Sequence, residues 1–409
     1  MDNKKIKIFN KIFPWYGGLS ADLLFWVAID TLFLAVVKNF TAAQITSLTG
    51  ISIIICIFLQ IPLLKIIKKI GNTNSVRLGS FLLLLSSILL TFGNKYIVIV
   101  LGKTLYEIAF TFQNMANAVL RNNLELQGKS DEYIRVKTKS NTIYATATML
   151  ISFVASIMFN INNYLPMLCC ISACIICFIL SFYIVDFSNY NKVKEENIEK
   201  KKKLKYGKLI IILLISYGIF YPIVNEGQSS GKLFIQQELL QTFDVEKTAL
   251  VIGAILCVSR IVRVFSNLSF NKVYEKIRDR VEIILPVLLS ISIILMITGS
   301  FISNSIILKF TIMSLGYIII LFIRDPFKVY MQDVALKNIN KEEQATLLTM
   351  MELARKLMRA IVSLSFTSIL VNNPIIIVMV ILLIASIIEI FISIRLYKLI
   401  ISTKQVKTN

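Results

Sequence analysis

The chain contains no histidine. That excludes imidazole acid–base chemistry and histidine metal sites. Acidic residues are also scarce: 24 Asp and Glu stand against 44 Lys and Arg, a formal net charge of +20. In a soluble protein this excess would point to nucleic acid. Here the basic residues lie mostly between apolar runs, so they fit a membrane surface, and no nucleic-acid partner is expected. The six cysteines, Cys56, Cys169, Cys170, Cys174, Cys177 and Cys257, all lie inside apolar runs. Cys174 and Cys177 have C-x-x-C spacing but no charged neighbours, and they read as small buried residues. The chain also lacks a Gly-rich phosphate cradle, a nucleophile motif, long loops and anything like a selectivity filter. Those absences speak against an enzyme and a channel, and no cofactor or metal is expected. The Lys-rich start leads into a long apolar run without a small-residue cleavage site. We read it as an uncleaved first membrane helix.

What the sequence does have is apolar length. Of its 409 residues 56% are hydrophobic, and the mean hydropathy is +0.73. A soluble chain of this composition could not cover itself. Continuous runs such as Phe81 to Leu90 and Ile375 to Ile388 exclude the alternating pattern of a membrane β-barrel. About 20 apolar residues cross the ~30 Å hydrocarbon core as a helix. Twelve such spans are expected, at 15–38, 44–65, 76–93, 96–121, 139–160, 164–186, 209–236, 247–269, 282–301, 305–328, 347–371 and 375–399. Gly71, Gly93–Asn94, Asn160–Asn163, Ser303–Asn304 and Asn372–Pro374 mark turns. The expected fold is an all-α polytopic membrane protein with two six-helix bundles, 1–186 and 209–409, joined by a basic cytoplasmic linker, 187–208. That linker, Lys192 to Lys208 with Glu195, Glu196 and Glu199 among its lysines, reads as a solvated segment resting near anionic lipid.

Orientation follows from the basic residues. One set of loops carries Lys4, Lys5, Lys7 and Lys11, then Lys65, Lys68, Lys69 and Arg77, then Lys129, Arg135 and Lys137. The linker and Lys272, Lys276, Arg278 and Arg280 extend the same set, whereas the opposite loops hold Lys38, Lys95 and Lys247. Both termini are therefore expected in the cytoplasm, which agrees with an even number of spans.

Lys65-Ile-Ile-Lys-Lys-Ile-Gly71 follows span 2, and Lys272-Val-Tyr-Glu-Lys-Ile-Arg278 follows span 8, 207 residues later. Both occupy the loop between the second and third helix of a half, as in transporters built from parallel repeats. These residues resemble the major facilitator superfamily signature Gly-x-x-x-Asp-Arg/Lys-x-Gly. Gly71 matches its last Gly and Lys69 its basic position, while Lys68 stands at the Asp and Leu64 at the first Gly. The second copy keeps Glu275 and Lys276 but has Arg278 for Gly. Glu343-Gln-Ala-Thr-Leu-Leu-Thr349 is similar to the Arg-Ala-Thr-Val-Leu-Ser segment of bacterial drug-exporter-like members, with Gln344 in the Arg place. The abundance of Ile, Lys and Asn looks like a low-GC bacterial protein, so the expected location is a bacterial plasma membrane. The resemblance implies a central cavity lined by helices 1, 4, 7 and 10, and alternating access by rocking of the two halves.

A charged residue at a span centre costs about 2.5–3.5 kcal/mol on insertion scales, so such residues face a cavity or a partner. Span 1 carries Asp22 and Asp30, with Trp26 between them. On a continuous helix the two acids lie about 12 Å apart along the axis and about 80° apart around it. Burial disfavours the charged form of an acid, which makes them candidates to carry a proton or bind a cation. Span 4 shows a stripe of Glu107, Thr111, Asn114 and Arg121, flanked by Gln113 and Asn117. Span 7 is expected to break after Tyr221-Pro222, where Asn225-Glu226-Gly227-Gln228 and Ser229 to Gly231 follow, exposing Glu226 and Gln228 to a cavity. Arg260 and Arg263 in span 8, Arg324 and Asp325 in span 10, and Glu352, Arg355 and Arg359 in span 11 read first as an inter-helix clamp, with Glu275 a further acid for it. Trp15 and Tyr16 read as an interfacial belt, and Tyr217, Tyr221 and Tyr317 as packing or as stacking surfaces for a flat solute.

The expected function is a secondary active, proton-coupled, exporter-like antiporter of a small organic solute. It would work as a monomer in the lipid bilayer, with a proton or other coupling ion. The alternative is an importer of a small anionic solute through Arg324, Arg355 and Arg359; a membrane-embedded enzyme is a remote third.

Overall fold

The computed structural model describes residues 3–129, 132–187, 207–277, 280–337 and 344–408. Most of the linker, Arg278, Glu343 and the side chain of Glu275 lie outside the described residues. Within them the chain is helical, with no strand. The helices are α1 Asn3–Leu19, α2 Trp26–Leu32 continuing into a π turn Phe33–Val37, α3 Ala42–Phe92, α4 Tyr96–Gln113, α5 Met115–Leu126, α6 Tyr133–Ile161, α7 Leu165–Ser181, α8 Lys208–Thr242, α9 Val245–Ile277, α10 Val281–Ser300, α11 Ile306–Lys337, α12 Gln344–Leu370 and α13 Ile375–Thr408.

These elements supply twelve spans. Eight helical stretches are long and apolar enough to cross a membrane, Trp26–Val37 and Leu165–Ser181 are shorter apolar helices, and the 27-residue α12 is the remaining one. The 51 residues of α3 amount to about 75 Å of helix, enough for two crossings. Its two crossings meet at Gly71, whose φ of 79° is the left-handed region glycine adopts without penalty. Large apolar side chains such as Phe58, Ile161, Ile307 and Phe391 stand on the surface, as lipid-facing residues must.

Local chemistry starts several helices. Thr41 and Gln44 form a reciprocal capping box at α3: the Gln44 N–H donates to Thr41 Oγ1 (3.3 Å) and the Thr41 N–H to Gln44 Oε1 (3.0 Å). Asp244 accepts the Lys247 N–H at 2.8 Å at the start of α9.

The chain separates into two compact units, Met1–Phe40 with Ile51–Lys201, and Thr41–Gly50 with Lys202–Asn409. Inside the second unit the first turns of α3 join α12, where the Ser363 hydroxyl donates to the Thr46 carbonyl at 2.8 Å.

Two expectations about helix continuity are corrected. Span 1 is not one helix: α1 stops at Leu19 and α2 begins at Trp26. The axial and angular spacing expected for Asp22 and Asp30 therefore does not apply. Span 7, expected to break, is a single helix of 35 residues with Pro222 inside it. Proline removes only one backbone donor, and the small residues beyond it serve close packing instead. A Cβ on Gly231 would come within 2.9 Å of Met296 Cε. Tyr16 also departs from its expected place. Trp15 is 53% exposed, but Tyr16 is fully buried and its hydroxyl meets Ser80 Oγ at 2.9 Å.

Candidate functional site

Each unit holds a polar cluster among its apolar helices. In the first, α1 approaches α6 closely because Gly17 and Gly18 have no side chain. A Cβ on Gly18 would lie 2.7 Å from Ile143 Cγ2, and one on Gly17 would lie 2.9 Å from Ser140 Oγ. One turn further along both chains, this crossing brings Asp22 to Tyr144.

Asp22 lies in the interruption between α1 and α2. Its Oδ1 accepts the N–H of Leu23 at 2.8 Å, a local bond that competes with helix continuation. The same oxygen accepts the Tyr106 hydroxyl at 2.6 Å, and Oδ2 accepts the Tyr144 hydroxyl at 3.2 Å. Asp22 thus ties α4 and α6 to the break. Lys103 Nζ sits 3.7 Å from the centroid of the Tyr106 ring and 3.9 Å from Glu107 Oε1. The first-unit cluster is therefore Asp22, Tyr106, Tyr144, Lys103 and Glu107.

The other candidates of this unit make contacts of their own. Trp26 is buried with its ring edge-on to Phe33, 6.5 Å between centroids. Asp30 accepts the Thr31 N–H at 2.8 Å. Asn114 is exposed at the junction of α4 and α5. Asn117 accepts from Lys137 Nζ at 2.8 Å. Arg121 is 74% exposed and pairs with Glu125 on its own helix at 3.1 Å. Lys68 and Lys69 are exposed just before Gly71.

In the second unit α8, α11 and α12 carry the polar residues. Tyr221, Asn225 and Gln228 share one face of α8 by helical spacing. Gln228 Oε1 accepts Arg324 Nη1 at 2.8 Å. Tyr221 stacks on Tyr217, 5.6 Å between centroids, and the Arg355 guanidinium lies 5.2 Å from the Tyr221 centroid. Glu352 is shared by Arg355 at 2.8 Å and Lys328 at 3.2 Å. Glu226 is 1% exposed, and its Oε1 lies 3.6 Å from Arg359 Nε without forming a hydrogen bond. Asp325 receives a two-toothed contact from Arg263, 2.6 Å from Nε and 3.1 Å from Nη2, which ties α11 to α9. Arg260 is partly buried and makes no ion pair among the described residues.

Sequence reasoning passed over several residues. Tyr106 and Tyr144 looked like packing aromatics, and nothing local tells a hydrogen-bonded phenol from one. Lys103 lay inside span 4, so its charge was a usable signal. Glu389 was equally visible as an acid in span 12. It is fully buried on α13 and accepts the hydroxyls of Ser216 at 2.5 Å and Ser393 at 3.2 Å. Asp186 accepts the side-chain amides of Asn72 (3.1 Å) and Asn122 (2.9 Å), and its own N–H donates to Thr73 Oγ1 at 2.9 Å. These bonds join the residues after α7 to the Gly71 turn and to α5. Among the described residues no group of three Cys, Asp or Glu side chains could hold a metal ion.

No family model matches the chain, and no curated protein matches it by sequence. Solved structures do. A bacterial homologue of the iron transporter ferroportin, in an inward-facing state, is 12% identical with a TM-score of 0.69, over 97% of this chain and all of that one. The nucleoside transporter NupG is 12% identical at 0.70, again over 97% and 100%. A bacterial homologue of the human lysosomal transporter Spinster is 12% identical at 0.70, over 98% and 99%. Twelve spans in two sets of six, matched along their whole length by transporters of this architecture, give the chain the major facilitator fold.

Proposed function

We propose that the chain is a secondary active transporter that moves a small organic solute across a bacterial plasma membrane, with proton coupling at Asp22. The bundles 1–186 and 209–409 rock about the linker 187–208, both termini lie in the cytoplasm, and the unit of function is the monomer. The resemblance of the segment entering span 11 to drug-exporter-like members supports an exporting direction. Transport by each of the structural neighbours supports the class.

The observation that carries the coupling is the Asp22 carboxylate. Its two oxygens accept two phenol bonds and one backbone bond. Protonation turns one acceptor oxygen into a donor, so a phenol bond must reverse its direction or be released. The tie between the helix break, α4 and α6 then changes. A proton on Asp22 and a bound solute would each bias the inward- and outward-open states, and so be coupled.

The test is flux in proteoliposomes with a panel of radiolabelled organic solutes. An imposed pH gradient drives flux in the wild type. Asp22→Asn lowers gradient-driven flux by about tenfold or more and keeps solute exchange at equal pH. Unchanged gradient-driven flux in the variant removes the proton assignment, and no flux of any solute removes transport itself.

A further inference from the structure

α1 has two faces. Phe9, Phe13 and Tyr16 are buried in the core of the first unit. On the other face, Ile8, Lys11, Ile12, Trp15 and Leu19 line an open groove of about 410 Å³ with Leu180 of α7. Ile8 is 36% and Trp15 53% exposed. Positions 8, 12, 15 and 19 recur at helical spacing, so the apolar strip runs along the helix. From Lys11 to Leu19 it covers about 12 Å, most of the ~15 Å of hydrocarbon in one leaflet. On α7 the apolar surface continues through Ile176 and Ile179, both about half exposed.

The groove has a charged end. Lys4, Lys7 and Lys11 are three and four residues apart, which places them on the groove face of α1. All three are exposed, and none of them pairs with an acid among the described residues. Residues 3–21 hold four lysines and no acid. The next acid, Asp22, is engaged by Tyr106 and Tyr144. A face meant only for water would not expose Ile8 and Trp15, and a face meant only for hydrocarbon would not carry three lysines. The two properties together complement a molecule with an anionic head and an apolar tail. Trp15 stands between them, as tryptophan does at a membrane interface.

We propose that this groove holds an anionic phospholipid of the cytoplasmic leaflet. One acyl chain lies along Ile12, Trp15, Leu19 and Leu180, and the phosphate headgroup lies among Lys4, Lys7 and Lys11. The choice of leaflet rests on the orientation read from the basic loops; nothing in the site depends on transport.

The test uses the full chain in phosphatidylcholine vesicles. Dibrominated phosphatidylglycerol or dibrominated phosphatidylcholine is added at the same low mole fraction, and bromine in the acyl chain quenches a tryptophan beside it. The chain's two tryptophans are Trp15 and the buried Trp26, so subtracting the signal of Trp15→Phe leaves that of Trp15. One basic residue near an anionic surface is worth about fivefold in partitioning, so the brominated phosphatidylglycerol should quench Trp15 at least about fivefold more effectively than the brominated phosphatidylcholine. Lys4→Gln, Lys7→Gln and Lys11→Gln combined bring the ratio close to one. Lys11→Gln alone lowers it, and decides the matter if the triple variant does not insert. Lys208→Gln, Arg395→Gln and Lys398→Gln combined, three exposed positions of the second unit, leave it unchanged. A ratio of one in the wild type, or a ratio untouched by the loss of the α1 lysines, overturns the site. A ratio that falls equally in the second-unit variant means diffuse attraction by the net charge, and overturns it too.

Discussion

Spans 1 and 7 open the two halves of the chain, and they treat their helix breakers in opposite ways. Span 1 has Pro14 inside α1 and no proline where it breaks, yet it is interrupted between Leu19 and Trp26. Span 7 has Pro222 followed by a run of glycines and serines, yet it stays helical from Lys208 to Thr242. The difference lies in what surrounds each segment. Asp22 finds the Leu23 N–H and two phenols outside the helix, so leaving the helix satisfies it. Around Pro222 the neighbours are packed. Phe220 stacks on Phe327 at 3.6 Å, and the glycines beyond receive Ile320 and Met296. A missing donor there costs less than unwinding a buried helix.

That contrast can be broken at its strongest point first. Gly18→Leu forces a side chain into the space of Ile143 and should cost about 3 kcal/mol, read as a lower melting temperature in detergent. A normal melt would show that the close approach of α1 to α6 does not hold the break in place. Next, Glu226→Gln leaves Arg359 without its carboxylate and should cost about 2 kcal/mol. Adding Arg359→Gln should recover part of the loss, and additivity in that cycle would deny the pair. Tyr106→Phe should then cost about 2 kcal/mol and Tyr144→Phe about 1 kcal/mol, in the order of their bonds of 2.6 and 3.2 Å to Asp22. No loss in either variant would mean that the phenols act only by packing. The smallest effect is expected from Pro222→Ala, which should change stability by less than about 1 kcal/mol and leave flux intact. Loss of flux would make the proline itself part of the mechanism.

Most of the architecture was legible in the sequence. The apolar runs located the spans, and Gly71 marked a turn, at which the backbone takes a positive φ. The candidate site was legible in its charges and not in their partners. Glu226, Gln228, Arg324, Glu352, Arg355 and Arg359 stood out because charge and amide are costly in a span. The pairing of Gln228 with Arg324 and of Glu226 with Arg359 did not, since residues nearly a hundred or more positions apart meet there. Tyr106 and Tyr144 gave no signal at all. A tyrosine in an apolar helix is compatible with packing or hydrogen bonding, and the choice depends on whether an acid lies opposite. Tyr16 shows the same limit in reverse: beside Trp15 it read as interfacial, and Ser80 on another helix holds it in the core.

The sequence by itself determined that this chain crosses a bilayer about twelve times, because the free energy of moving a segment into lipid depends on its own composition. Tertiary structure alone decided which helix breaks and which polar groups meet. A hydrogen bond or ion pair belongs to two groups, and the second is brought into reach only when the helices pack.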